Sequence, residues 1–126
     1  MINKLIIYLT ALRGVAKDVH YTSKNYGDHL LADRIAEPLD GFVDDLKEVC
    51  LLGRGEQVKK SGYYYEISSK IAPEASYWQG VIDIIKETLR VCESLERLTR
   101  GEENLIGSIA QHLQTMYGLL IMINAG

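Results

Sequence analysis

The sequence predicts an all-α protein, a bundle of four helices joined by two short connections and one long one. Only two prolines, Pro38 and Pro73, interrupt the chain, and few stretches show the alternating β-branched pattern of strands. Apolar residues recur instead at steps of three and four along four segments of about 20 residues each. One long connection among four helices lets the helices that flank it run parallel to each other.

The helices are predicted, in chain order, over residues 2–23, 29–52, 74–96 and 102–123. Asp28 is placed to cap the second helix, and Gly53 follows it as the residue that ends it. Residues 54–73 form the long connection between helices two and three. A connection of this length is expected to carry a short element or a functional surface.

Composition and charge exclude several classes of protein. The 47% share of hydrophobic residues is too high for a disordered chain, and no apolar run approaches the ~20 residues that span a membrane. A net charge of -3 without a basic patch or tail gives little attraction for DNA or RNA. Cys50 and Cys92 lack the CxxC spacing of a zinc or redox site. We therefore interpret them as buried thiols of a cytoplasmic protein. We therefore expect one cytoplasmic domain over residues 1–126.

Helix two carries an acidic stripe. With Leu39 at 0° on a helical wheel, six polar residues fall between about 80° and 180°, beside the apolar face. They are His29, Asp33, Glu37, Asp40, Asp44 and Glu48. Carboxylates this close repel each other unless a cation lies across them, and such ligands suit Fe(II) or Mn(II) in helical bundles. The alternative is a solvated acidic face.

Two pairs on the stripe have the spacing of metal ligands. His29 and Asp33 lie one helical turn apart, and so do Asp44 and Glu48. His29 and Asp44 are about 22 Å apart along one helix, so the two pairs cannot meet within a chain. Two copies packed antiparallel about a two-fold axis near Pro38 would bring each pair opposite the other pair of the partner.

These residues also carry a resemblance to a known family. Helix two reads His29-Leu-Leu-Ala-Asp33, then Asp44-Asp-Leu-Lys-Glu48, then Gly53. This pattern resembles, without a gap, the second helix of the Dps mini-ferritins. The resemblance extends over most of the chain, through Val19-His20-Tyr21, Glu66-Ile-Ser-Ser-Lys-Ile71 and the segment from Asn104 to Leu120.

The resemblance implies a ferritin-like four-helix bundle with a long crossover between helices two and three. It implies assembly through two-fold contacts into a closed shell of twelve subunits. It also implies Fe(II) oxidation by hydrogen peroxide or dioxygen at sites shared between subunits, with iron storage inside the shell. Iron is the implied metal, with Mn(II) or Zn(II) able to take its place. The implied metal ligands are His20, His29, Asp33, Asp44 and Glu48, the last four also being the catalytic residues.

Three departures from the family keep alternatives open. The connection between His20 and His29 is short for the family, and Pro38 is expected to kink helix two. Both favour a bundle that has lost the metal and serves as a structural or interaction protein.

The chain begins directly at a helix, without the lysine-rich tail that many members use to hold DNA, so DNA binding is not expected. A remoter alternative is an all-α nucleotide pyrophosphohydrolase, based on Glu37-x2-Asp40 and Glu93-x2-Glu96.

Other polar and aromatic residues are interpreted as structural. His112 shares a stripe with Ile109 and Met116 and is expected to be a hydrogen-bonded core histidine. Trp78 is expected to pack in the core. The run Tyr63-Tyr64-Tyr65 is predicted to form an oligomer contact, with anchoring of the long connection and a radical sink near iron as the alternatives.

Overall fold

The computed structural model describes residues 1–71 and 77–125, and no strand occurs among them. The all-α prediction is therefore confirmed for this part of the chain. The predicted start of helix three after Pro73 lies outside the described residues. The helices are α1 (Ile2–Thr22), α2 (Tyr26–Ala36), α3 (Leu39–Asp45), a π turn (Leu46–Leu51), a 3₁₀ turn (Leu52–Arg54), α4 (Ser61–Ile71), α5 (Tyr77–Ser94) and α6 (Arg100–Ala125).

Helix α1 lies at the centre of the packing. Apolar residues recur at three- and four-residue steps along it, and they are buried as predicted: Leu5, Leu9, Leu12, Ala16 and Val19. It contacts α2, α4 and α5, while α5 also packs against α6. Burial of a Leu or Val side chain contributes roughly 1.5–3 kcal/mol, so this face of α1 supplies a large part of the core stabilisation.

The predicted ends of helix two are corrected. The helix begins at Tyr26, because the Asn25 side chain accepts hydrogen bonds from the N–H groups of Gly27 and Asp28 at 2.8 and 3.3 Å. Asp28 is therefore not the cap. At the other end, Gly55 rather than Gly53 has the left-handed conformation, with φ +74°. Glycine adopts this conformation without the steric cost that a side chain would add.

Helix two is interrupted in two places. Pro38 lies in the break between α2 and α3, as expected for a residue that has no N–H to donate to the carbonyl of Arg34. The π turn follows α3, and its hydrogen bonds reach five residues back instead of four. On a regular helical wheel Val49 falls at the edge of the apolar face of helix two, but it is exposed, since the wider turn rotates it away from the core.

The long connection carries α4, which packs against α1. Tyr64 is buried there, and its hydroxyl donates a hydrogen bond to Asn3 Oδ1 at 2.7 Å. The Lys47 ammonium lies over its ring, 4.8 Å from the centroid. Tyr63 and Tyr65 are exposed. Tyr64 thus anchors the connection. The oligomer contact stays a prediction, and only the exposed Tyr63 and Tyr65 are available for it.

The start of α6 is fixed by a capping arrangement that moves it from the predicted residue 102 to Arg100. The Thr99 hydroxyl accepts a hydrogen bond from the Glu102 N–H at 3.2 Å, and the Glu102 carboxylate accepts one from the Thr99 N–H at 2.8 Å. Glu102 is only 1% exposed and also forms an ion pair with Arg54. The Arg54 guanidinium lowers the pKa of Glu102 to about 2.

The remaining structural interpretations hold. Cys50 and Cys92 are buried free thiols, and burial raises the pKa of Cys92 to about 11. Trp78 is buried in the core. His112 is hydrogen-bonded as predicted, with Nε2 lying 3.1 Å from the Ile35 carbonyl oxygen, but it is half-buried rather than fully enclosed in the core.

Candidate metal centre

His20 and His29 meet where α1 ends and α2 begins. Their rings stack with centroids 3.8 Å apart and planes inclined by 20°. The His20 Nδ1 lies 2.9 Å from the His29 carbonyl oxygen, and the His29 Nδ1 lies 2.7 Å from the His20 carbonyl oxygen. The short connection between the two helices therefore brings both predicted histidine ligands to one place.

These hydrogen bonds determine which ring nitrogen is available to a metal. A carbonyl oxygen only accepts, so Nδ1 must carry the proton in both rings. In the neutral imidazole, Nε2 is then left with a lone pair. Histidine ligands of metal ions are commonly oriented in this way, with the second nitrogen donating to a carbonyl or carboxylate.

The stacked rings do not converge on one ion. The lone pair of Nε2 lies in the plane of its ring, and the two planes are nearly parallel. A metal about 2.1 Å from Nε2 in the plane of one ring lies outside the plane of the other. His20 and His29 thus suit two neighbouring ions, or one ion after one ring has rotated.

Cations of α1 lie across the acidic stripe. The Lys17 ammonium donates a hydrogen bond to Asp33 Oδ1 at 2.9 Å. This hydrogen bond lowers the pKa of Asp33, burial partly opposes it, and the charge of Lys17 lowers it further. Arg13 pairs with Asp40 at 3.0 Å. Part of the predicted repulsion along the stripe is thus relieved within the chain.

Asp44 and Glu48 lie on the other side of the Pro38 break, Asp44 on α3 and Glu48 in the π turn. Both are exposed, and their separation of four residues is close to one turn in either helix type. Among residues 1–71 and 77–125, no three His, Cys, Asp or Glu side chains are grouped to hold a metal ion. One chain therefore brings His20 and His29 together, while Asp33 pairs with Lys17 and Asp44 and Glu48 lie beyond the break.

Sequence reasoning missed Lys17 and the π turn. Lys17 precedes His20 by three residues, one helical turn, and this spacing could have placed it beside the site. The π turn has no corresponding signal in the sequence. Neither acidic pair of the pyrophosphohydrolase alternative lies within one helix, since Glu37 falls in the break before α3 and α5 ends at Ser94, before Glu96.

Comparison of the chain with known protein families, with curated proteins and with solved structures finds no match. No helix in the described part of the chain is long and apolar enough to cross a membrane. The resemblance to the Dps mini-ferritins rests on the sequence pattern alone.

Replacement of Lys17 by Met is expected to raise the pKa of Asp33 towards its ordinary value, because the ammonium that stabilises the carboxylate is removed. The measurement is a carboxyl-detected NMR titration of Asp33. Lys24→Met, in the exposed connection between α1 and α2, is the matched control and should leave this pKa unchanged. An Asp33 titration identical in wild type and Lys17→Met would show that the ion pair does not form in solution.

Proposed function

We propose that the protein is a mini-ferritin in which two copies close a shared metal centre that oxidises Fe(II). One observation carries this proposal. His20 and His29 stack with Nε2 left free of these hydrogen bonds on each ring, and Asp33 follows His29 by one helical turn, while Asp44 and Glu48 are exposed on the same interrupted helix. Each side of the break lacks the ligands that the other side offers.

The positions of the ligands suit an antiparallel contact. The midpoint between His29 and Glu48 falls between residues 38 and 39, and so does the midpoint between Asp33 and Asp44. In an antiparallel isologous dimer, a residue that precedes the two-fold axis by a given number of positions faces the residue of the partner copy that follows the axis by the same number. One axis at the Pro38 break therefore serves both ligand pairs.

Exposed apolar residues on the same helix favour the same axis. Tyr26 and Leu52 are exposed and have residue 39 as their midpoint. Leu30 and Val49 are also exposed, and their midpoint falls between residues 39 and 40. An antiparallel contact about this axis would place apolar side chains opposite apolar side chains at both ends of the contact. Buried apolar contacts of this kind are expected in a protein interface.

In this proposal the fold is ferritin-like, with α4 lying in the crossover. Asp33, Asp44 and Glu48 provide oxygen ligands, and His29 and His20 provide nitrogen. Iron is the substrate and supplies the redox chemistry, while the protein fixes the ligand geometry. Fe(II) binding replaces the Lys17–Asp33 ion pair by metal coordination. Further contacts would assemble the dimers into a closed shell that stores the oxidised iron, in a reducing compartment that suits the free thiols.

A second candidate is a structural or interaction protein without metal. The Lys17–Asp33 ion pair favours it, because a cation of the same chain already compensates the most buried acid of the stripe. The stacking of the two histidine rings favours it as well. The two candidates differ in their response to Fe(II), which only the first one oxidises.

The test combines native mass with iron oxidation. Light scattering of the full chain is expected to report a dimer or a larger closed oligomer. Addition of Fe(II) without oxygen, followed by hydrogen peroxide, should produce Fe(III) absorbance faster than in buffer alone. A monomer of 14.2 kDa at micromolar concentration, with or without Fe(II), would contradict the shared site. An oligomer that oxidises Fe(II) no faster than buffer would favour the structural candidate.

A further inference from the structure

His112 contacts both sides of the break in helix two. From α6, its Nε2 lies 3.1 Å from the carbonyl oxygen of Ile35, which precedes the break. Its ring lies 5.9 Å from the ring of Phe42, which follows the break. Because a carbonyl oxygen only accepts, Nε2–H is the donor. One side chain of a neighbouring helix thus holds the end of α2 and packs against α3.

The break needs such a restraint, because Pro38 removes the hydrogen bond that would continue the helix. Helices bend sharply at proline, and the bend angle then depends on contacts outside the helix. The His112 imidazole is half-buried and offers both a directional hydrogen bond and an aromatic contact at this point. It therefore restrains the angle between α2 and α3.

The angle between α2 and α3 determines whether the proposed ligands of the two copies meet, because the ligands lie on both sides of the break. His29 lies nine residues before Pro38, a distance of about 14 Å along a helix. A change of 5° at the break displaces a side chain at that distance by roughly 1 Å. Metal sites tolerate deviations of only about 0.2 Å in ligand distances. A small change in the angle would therefore separate the ligands of the two copies.

We propose that His112 is a positioning residue that fixes the angle between α2 and α3 and so aligns His29 and Asp33 with Asp44 and Glu48 of the partner copy. The alignment role rests on the proposed function. His112 does not touch the metal in this scheme, and its effect passes through the backbone of α2 and α3.

The test uses two substitutions of His112. His112→Phe keeps a ring beside Phe42 but removes the donor, and His112→Gln keeps an N–H donor. His112→Phe is expected to speed amide hydrogen exchange of residues 36–42 about tenfold and to weaken Co(II) binding, a redox-inert probe, by about tenfold. His112→Gln should restore most of both properties. Gln114→Ala, an exposed change on α6, should alter neither.

A second background tests the link to the proline. Pro38→Ala restores an N–H, so α2 and α3 can form one continuous helix without help from α6. His112→Phe should then change exchange at residues 36–42 by less than about twofold. Should His112→Phe alone fail to fold, the proposal expects Pro38→Ala/His112→Phe to fold, and failure of both would overturn it.

Several results would overturn the proposal. Equal effects of His112→Phe in the two backgrounds would show that the contact with the break is unimportant, and so would His112→Gln behaving like His112→Phe. Altered exchange with unchanged Co(II) affinity would limit His112 to a structural role. If the wild type binds no Co(II), the proposed function and the alignment role both fail, while the exchange rates still decide whether His112 holds the break.

Discussion

The variant His29→Ala/Asp33→Ala is expected to oxidise Fe(II) no faster than buffer, and so is the variant Asp44→Ala/Glu48→Ala. In a symmetric dimer each substitution pair removes two of the five proposed ligands from both sites. The ligands that remain are not expected to hold the metal, since the described residues of one chain contain no group of three possible ligands. The measurement is the initial rate of Fe(III) absorbance after peroxide is added to the Fe(II)-loaded protein.

The matched control is Asp45→Ala, which removes one exposed carboxylate directly beside Asp44. It lies about 100° from Asp44 around the helix and should keep nearly the wild-type rate. Light scattering and circular dichroism establish that all variants stay folded and assembled. If His29→Ala/Asp33→Ala kept the wild-type rate while folded, these residues would not be ligands.

Glu102→Gln is expected to lower the free energy of unfolding by about 2 kcal/mol, the largest stability effect that we predict for a single polar side chain. The carboxylate is nearly fully buried, pairs with Arg54 and caps α6 through the Thr99 N–H. Urea unfolding measures the loss. Glu103→Gln, an exposed change in the same turn, should cost far less. Equal losses in the two variants would contradict the role of the ion pair.

The same carboxyl group gives a pH dependence with a defined sign. The pKa of Glu102 is lowered from 4.5 to about 2 in the folded chain. The folded state therefore holds this proton less tightly than the unfolded state does, and stability is gained above pH 4.5 and lost as the pH falls towards 2. Wild type should lose more stability than Glu102→Gln over this range. Parallel losses in the two proteins would contradict the assignment.

Much of the fold follows from the spacing of apolar residues. Leu5, Leu9 and Leu12 recur at helical spacing in α1, Val81 and Ile85 do so in α5, and all five are buried. The ends of helices were predicted less well. Asn25 and Gly55 decide the ends of helix two by local hydrogen bonding and backbone conformation, and neighbouring polar residues compete for the same roles.

The candidate site contains contacts between helices that the sequence pattern of one helix does not predict. The pattern on helix two identified His29 and Asp33, and the structure places His29 against His20 on α1. The pattern could not show that Lys17 pairs with Asp33, because the contact joins residues sixteen positions apart. His112 was predicted as a hydrogen-bonded residue, but its partner lies 77 residues away, so its contact with the Pro38 break required the structure.

The most direct measurement of the shared metal centre is complementation between the two inactive variants. When His29→Ala/Asp33→Ala and Asp44→Ala/Glu48→Ala are dissociated, mixed and reassembled, each mixed dimer contains one site with all of its ligands intact and one site that keeps only His20. We expect the mixed dimers to regain up to about half of the wild-type rate of Fe(II) oxidation. With the wild type active and mixed dimers confirmed by native mass spectrometry, a rate no higher than in buffer would contradict a site shared between two chains.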